Sequence, residues 1–171
     1  MTAERQEING SGPGTGLRPG IALIGLLAVL ALLPSAAVAQ TTERVIVNRY
    51  SGLAIEGYDP VAYFVDARAE PGRPEFEASQ AGAVWRFRNE GNRASFVAHP
   101  EIYGPQFGGY DPVDLARGIT YGGTPRLWLV VGQRLYLFGR EQHRDAFAAD
   151  PAGILREARA RWPALERGLA R

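Results

Sequence analysis

Cysteine is absent from this 171-residue chain, and its one methionine is Met1. No disulfide can form, and thiolate nucleophiles, cysteine zinc sites, iron–sulfur clusters and thioether copper ligation are excluded with them. Iron–sulfur or thiolate-bound metal is therefore not expected, and neither is haem. Lysine is also missing: all 19 basic side chains are arginine, which reads as genomic bias before function. Neither sign of charge dominates, since 18 acids leave a net +1. No basic excess points to nucleic acid or to an anionic lipid surface. Histidine is scarce, occurring only as His99 and His143.

A membrane-spanning hydrophobic run is missing too. The longest apolar stretch, residues 21–33, is well short of the roughly 18–20 residues that cross a bilayer. It follows Arg5 and Arg18, stops at Pro34, and is succeeded by Ala37, Val38 and Ala39, the small-x-small pattern of a signal-peptidase site. Residues 1–39 are thus expected to be a cleaved signal peptide, with Gln40 opening the mature chain. The protein is then exported, with the periplasm as its expected destination, and keeps no membrane span after cleavage. The leader takes two arginines and two glutamates with it, leaving 17 arginines against 16 acids.

What is present in residues 40–171 is enough for one domain with a core of its own. No internal repeat is evident on reading along the chain. Residues 44–50 alternate with β-branched side chains and read as a strand. Residues 74–88 read as a hairpin turning at Gln80, Ala81 and Gly82. Residues 126–139 read as another, turning at Gly132 and Gln133, with Leu127, Leu129, Leu135 and Leu137 alternating against their neighbours. Helices are expected over 92–99, over 141–150 with His143, Ala146 and Phe147 on one face, and from Pro151 onward. That last helix carries Ile154, Leu155, Ala158, Trp162 and Leu165 as an apolar stripe. Strands and helices are segregated, so the class is α+β: a small single domain in which two β-hairpins pack against several short helices and a longer C-terminal one.

Three Asp-Pro pairs, at 59, 111 and 150, each precede a short apolar-periodic stretch. Aspartate caps a helix by accepting a backbone N–H, and proline fits the first helical position, where no donor is needed. Asp114 then suits the positive end of the same dipole as Asp111. On this reading Asp111 is mainly a cap. Asparagine in its place would serve almost as well, and alanine there would cost about 0.5–2 kcal/mol.

Ser51, Ser79 and Ser95 lack a nucleophile-elbow context, and the Gly-Gly-Thr at 122–124 lacks the lysine and helix of a phosphate loop. Nothing here assembles an enzyme. His99 and His143 are weak candidates for a borderline metal site, with no short His spacing to join them. Tyr58, Tyr63, Tyr103, Phe107 and Tyr110 surround the first two Asp-Pro elements and either line a pocket or fill the core.

The segments GYDPVAYF (57–64), PEFEASQAGAVWRFRNEGNRASFVAHPEIYGPQFGGYD (74–111), LWLVVGQRLYLF (127–138) and RARWPAL (159–165) resemble the exported YHS-domain proteins, in order and over nearly the whole mature chain. That resemblance implies a small α+β fold over 40–171, with its YHS core in the first hairpin and the helix after it. Short YHS modules occur in copper-transporting ATPases and metal-handling proteins, so it also implies a metal-related role. The chain departs from the pattern at Asp111, where relatives have cysteine after Gly-Gly-Tyr. The leading expectation is a non-enzymatic exported binding module for a small ligand or hard metal ion, held near Asp59, Tyr103, Tyr110 and Asp111. The alternative is a structural or protein-interaction domain whose family metal site has been lost.

Overall fold

The computed structural model describes residues 45–169. The leader and the start of the mature chain lie outside them. In chain order come α1 (Ala62–Val65), β1 (Arg73–Gln80), β2 (Ala83–Phe87), α2 (Glu90–Ala98), α3 (Pro100–Tyr103), α4 (Pro112–Ala116), β3 (Thr124–Val131), β4 (Arg134–Phe138), α5 (Glu141–Ala149) and α6 (Pro151–Leu169). Each hairpin is its own two-stranded antiparallel sheet, β1 with β2 and β3 with β4. The α+β class holds, with short helices around two hairpins and a long C-terminal helix. No helix among the described residues is long and apolar enough to cross a membrane.

The expected strand at 44–50 does not form. Val47 makes one bridge, to Ala54, and the chain turns at once, because the Asn48 side chain accepts the N–H groups of Tyr50 and Ser51. A local side-chain acceptor outcompetes strand pairing here.

The larger correction concerns repetition: the described residues hold two copies of one supersecondary unit. Gly57-Tyr58-Asp59-Pro60-Val61 recurs as Gly109-Tyr110-Asp111-Pro112-Val113, and each copy leads into a short helix, a hairpin and a longer helix. The backbone bonds recur as well. The N–H of Asp59 donates to Glu70 O at 2.8 Å and that of Asp111 to Tyr121 O at 2.9 Å. Gly72 donates to Gly57 O and Gly123 to Gly109 O, both at 2.9 Å. A Cβ at Gly72 would come within 2.5 Å of Arg86, and one at Gly123 within 2.5 Å of Leu137, so both copies need glycine where the loop crosses the hairpin.

Each copy is closed by the same aromatic trio. Phe96 of α2 packs on Trp85 and Phe87 of β2 at 4.7 and 5.2 Å between ring centroids. Phe147 of α5 packs on Tyr136 and Phe138 of β4 at 4.9 and 5.2 Å. The hairpins differ on their outer faces. In the first, Glu77 and Arg86 form an ion pair. In the second, Leu135 and Leu137 are buried in the first repeat's core, with Trp128 and Val130 packed beside them. The second hairpin is thus sandwiched, with Leu127 and Leu129 facing its own helices. Along α6, Leu155 and Ala158 are buried and Trp162 packs on Phe107 and Tyr110, as the stripe requires.

Candidate functional site

The shared element of the two repeats is a buried aspartate that gathers donors from three segments. Asp59 Oδ1 accepts Val61 N–H at 2.8 Å, and its Oδ2 accepts Arg88 N–H at 2.8 Å and Asn92 Nδ2–H at 2.6 Å. Asp111 Oδ1 accepts Val113 N–H at 2.9 Å, and its Oδ2 meets Gly139 N–H and His143 Nδ1, both at 2.8 Å. Both carboxylates are fully buried. Because Asp111 Oδ2 is an acceptor already engaged by Gly139, His143 carries its proton on Nδ1 and donates it. The cap reading of Asp111 holds for Val113 N–H, but it describes one bond of three. Asp111 ties a helix start, a strand end and the following helix together; Asp59 does the same from the turn before α1, which is not the expected cap, because that helix begins at Ala62 with Val61 as its N-cap.

Comparison of the two hubs separates scaffold from chemistry. Where the first repeat has Ala62 and Asn92, the second has Asp114 and His143. Asp114 Oδ2 lies 3.7 Å from His143 Nδ1, and the Arg140 guanidinium approaches the same oxygen at 3.4 Å. Asp111, Asp114 and His143 are all buried, and each offers a ligand atom within 4.8 Å of the others. Arg140 is half exposed and rests over the Tyr121 ring at 5.7 Å, so it forms the solvent side of the cluster.

Comparison with known protein families, curated proteins and solved structures finds no match. The site is therefore read from this chain alone.

The four candidate ligand residues do not converge on one cavity. Asp59 and Asp111 belong to separate hubs whose oxygens are taken by protein donors. Tyr110 packs on Trp162 at 5.8 Å. Tyr103 stacks edge-on against Phe64 and lines an open groove of about 600 Å³ with Tyr63, Trp128 and Val130. Tyr63 itself is buried, donates its hydroxyl to Pro125 O at 2.9 Å, and is held neutral because burial pushes its phenol far above the ordinary value. His99 is exposed beside Glu101 at 3.6 Å and lies in a different ion pair from His143. Asn92 and Arg140 were invisible as site residues in the sequence. The signal that finds Asn92 is the pattern Phe-x-x-Glu-x-(Asn/His)-Arg-x-x-Phe-x-Ala-x-Pro, which runs over 87–100 and again over 138–151; Arg140 falls at a variable position, in the place of Asn89.

The first hub doubles as an internal control for the second. Asn92 does with a carboxamide what His143 does with an imidazole. His143→Asn should therefore change stability by less than about 1 kcal/mol, whereas His143→Ala, which leaves a buried carboxylate short of a donor, should cost about 1–3 kcal/mol. Urea unfolding of the two variants measures the difference.

Proposed function

We propose that the chain is a non-enzymatic binding module whose second hub takes a divalent cation, Zn(II) in preference to Mg(II). The observation that carries this reading is the substitution of ligating side chains, Asp114 and His143, into a scaffold that the first repeat builds with Ala62 and Asn92. The fold needs one aspartate and one donor at this place; the second repeat supplies two carboxylates and an imidazole. Ligand bonds near 2.0–2.1 Å imply donor separations of about 3.3 Å around a tetrahedral ion. The observed 2.8 and 3.7 Å from His143 Nδ1 to the two aspartates bracket that spacing. Imidazole with carboxylate favours Zn(II) over the hard oxygen-seeking ions, and the absence of cysteine disfavours Cu(I). Export to the periplasm and kinship with the YHS proteins belong to the same proposal, since a metal-related role fits both.

Binding requires the ion to displace the Nδ1 proton of His143 and the guanidinium of Arg140. Calorimetric titration with Zn(II) tests this. His143→Asn should keep the fold and lose the binding. Arg140→Gln should bind a few-fold more tightly, because a half-exposed competing cation is worth roughly 0.2–1 kcal/mol. Unchanged binding in His143→Asn would rule the site out.

A further inference from the structure

The hairpins have four outer strand edges, and the two repeats treat three of them defensively. The edges of β2 and β4 are covered by the chain that precedes each unit, through the parallel bridges Leu53 to Val84 and Pro105 to Leu135. The edge of β1 is guarded by Arg73, Pro74, Glu75 and Glu77, and charge and proline both discourage a further strand. The edge of β3 carries Pro125 and Arg126 at its start, as β1 carries Arg73 and Pro74, but beyond them no bridge covers it among the described residues. Its sequence from Leu127 to Val131 is Leu-Trp-Leu-Val-Val, without charge or proline.

The hydrogen-bonding state of that edge follows from the turn. Gly132 and Gln133 both take left-handed φ values, 57° and 56°, the two-residue turn that suits a twisted hairpin. Val131 and Arg134 flank it and exchange hydrogen bonds across the ladder, and so do Leu129 and Tyr136 two residues on. Trp128 and Val130, opposite Leu137 and Leu135, therefore turn their N–H and C=O groups away from β4. Among the described residues, no backbone bond or bridge reaches those groups. The open groove is lined by Trp128, Leu129 and Val130 of this strand together with Tyr63 and Tyr103. Open space and unpaired strand groups therefore share these residues.

We propose that β3 is a homodimerisation edge, pairing antiparallel with β3 of a second copy about a two-fold axis through Leu129. A second copy is the fitting occupant because the edge is its own complement. Its outward groups, at 128 and 130, are symmetric about 129, so Trp128 exchanges two hydrogen bonds with Val130 of the partner subunit and Val130 does the same with the partner's Trp128. Each pair sets an aromatic ring beside a β-branched side chain, a favourable cross-strand combination. A two-fold interface of this kind closes on itself and gives a dimer with a four-stranded sheet, not a fibre. The net charge of +1 sets up little repulsion between copies.

Sedimentation velocity of the purified protein over a concentration series tests this, with Val130→Pro and Val130→Lys alongside. Proline at 130 deletes an outward N–H, which edge positions accept, together with the packing of the half-buried Val130 side chain. Lysine adds the charge that guarded edges carry and serves if the proline variant fails to give a native far-UV spectrum. The expected result is a dimer for the parent chain and self-association weakened about a hundredfold in the variants, the loss of one hydrogen bond in each symmetric half. A parent chain that stays monomeric throughout, open-ended aggregates in place of a dimer, or a dimer indifferent to both substitutions would overturn the proposal.

Discussion

Asp111→Asn should lower unfolding free energy by about 2–4 kcal/mol, and Asp59→Asn by a similar amount. The capping argument alone expects almost no change, so the two accounts part sharply here. A carboxylate presents acceptors only, and each hub uses both oxygens: one for the N–H two residues on and one for two further donors. Asparagine replaces one oxygen with an amide that is itself a donor. Whichever way it turns, at least one N–H at a fully buried side chain faces another donor. Asp150 supplies the control. It caps α6 through Gly153 N–H at 2.8 Å but is exposed, and among the described residues its side chain makes no other hydrogen bond. Asp150→Asn should be silent to within about 0.5 kcal/mol. Equal, small effects at 59, 111 and 150 would reduce the hubs to caps.

Phe147→Ala should cost about 3–5 kcal/mol, and Phe96→Ala the same within about 1 kcal/mol. Each ring is almost wholly buried and touches two aromatic rings of its own hairpin at nearly equal distances. Removing either leaves a void walled by two large rings that cannot collapse into it, because each hairpin is also held by its aspartate hub. Chemical unfolding of both variants compares the repeats directly. If one substitution were tolerated and the other not, the two units would not share a packing scheme.

Much of the fold was legible because local signals were strong. The turns at Ala81-Gly82 and Gly132-Gln133, the alternation in both hairpins, the Asp-Pro starts of α4 and α6 and the stripe of α6 all carry a period or a turn chemistry. The strand expected at 44–50 failed where an Asn48 side chain supplied a competing acceptor. The repetition was hidden for a different reason. The repeats have diverged on their outer faces, charged in the first hairpin and apolar in the second, because only the second is buried on both sides. What persists is the Gly-Tyr-Asp-Pro-Val pentapeptide and the positions that serve the hub and the aromatic trio. Asp111 was singled out from sequence as a helix cap. Its other two partners, Gly139 and His143, are 28 and 32 positions away, beyond any local pattern. Tyr103, Tyr110 and Asp111 share one stretch of sequence and Asp59 the matching motif before it, yet the hubs and the groove place them in different surroundings.

The double variant Asp114→Ala/His143→Asn tests the central claim most directly, since it rewrites the second hub in the chemistry of the first. Native mass spectrometry after exposure to Zn(II), with urea unfolding of the same samples, reads both halves of the claim together. The account predicts a single Zn(II) retained by the parent chain, none by the variant, and unfolding free energies within about 1 kcal/mol of each other in the absence of metal. Zn(II) retained equally by both chains, or by neither, would contradict it.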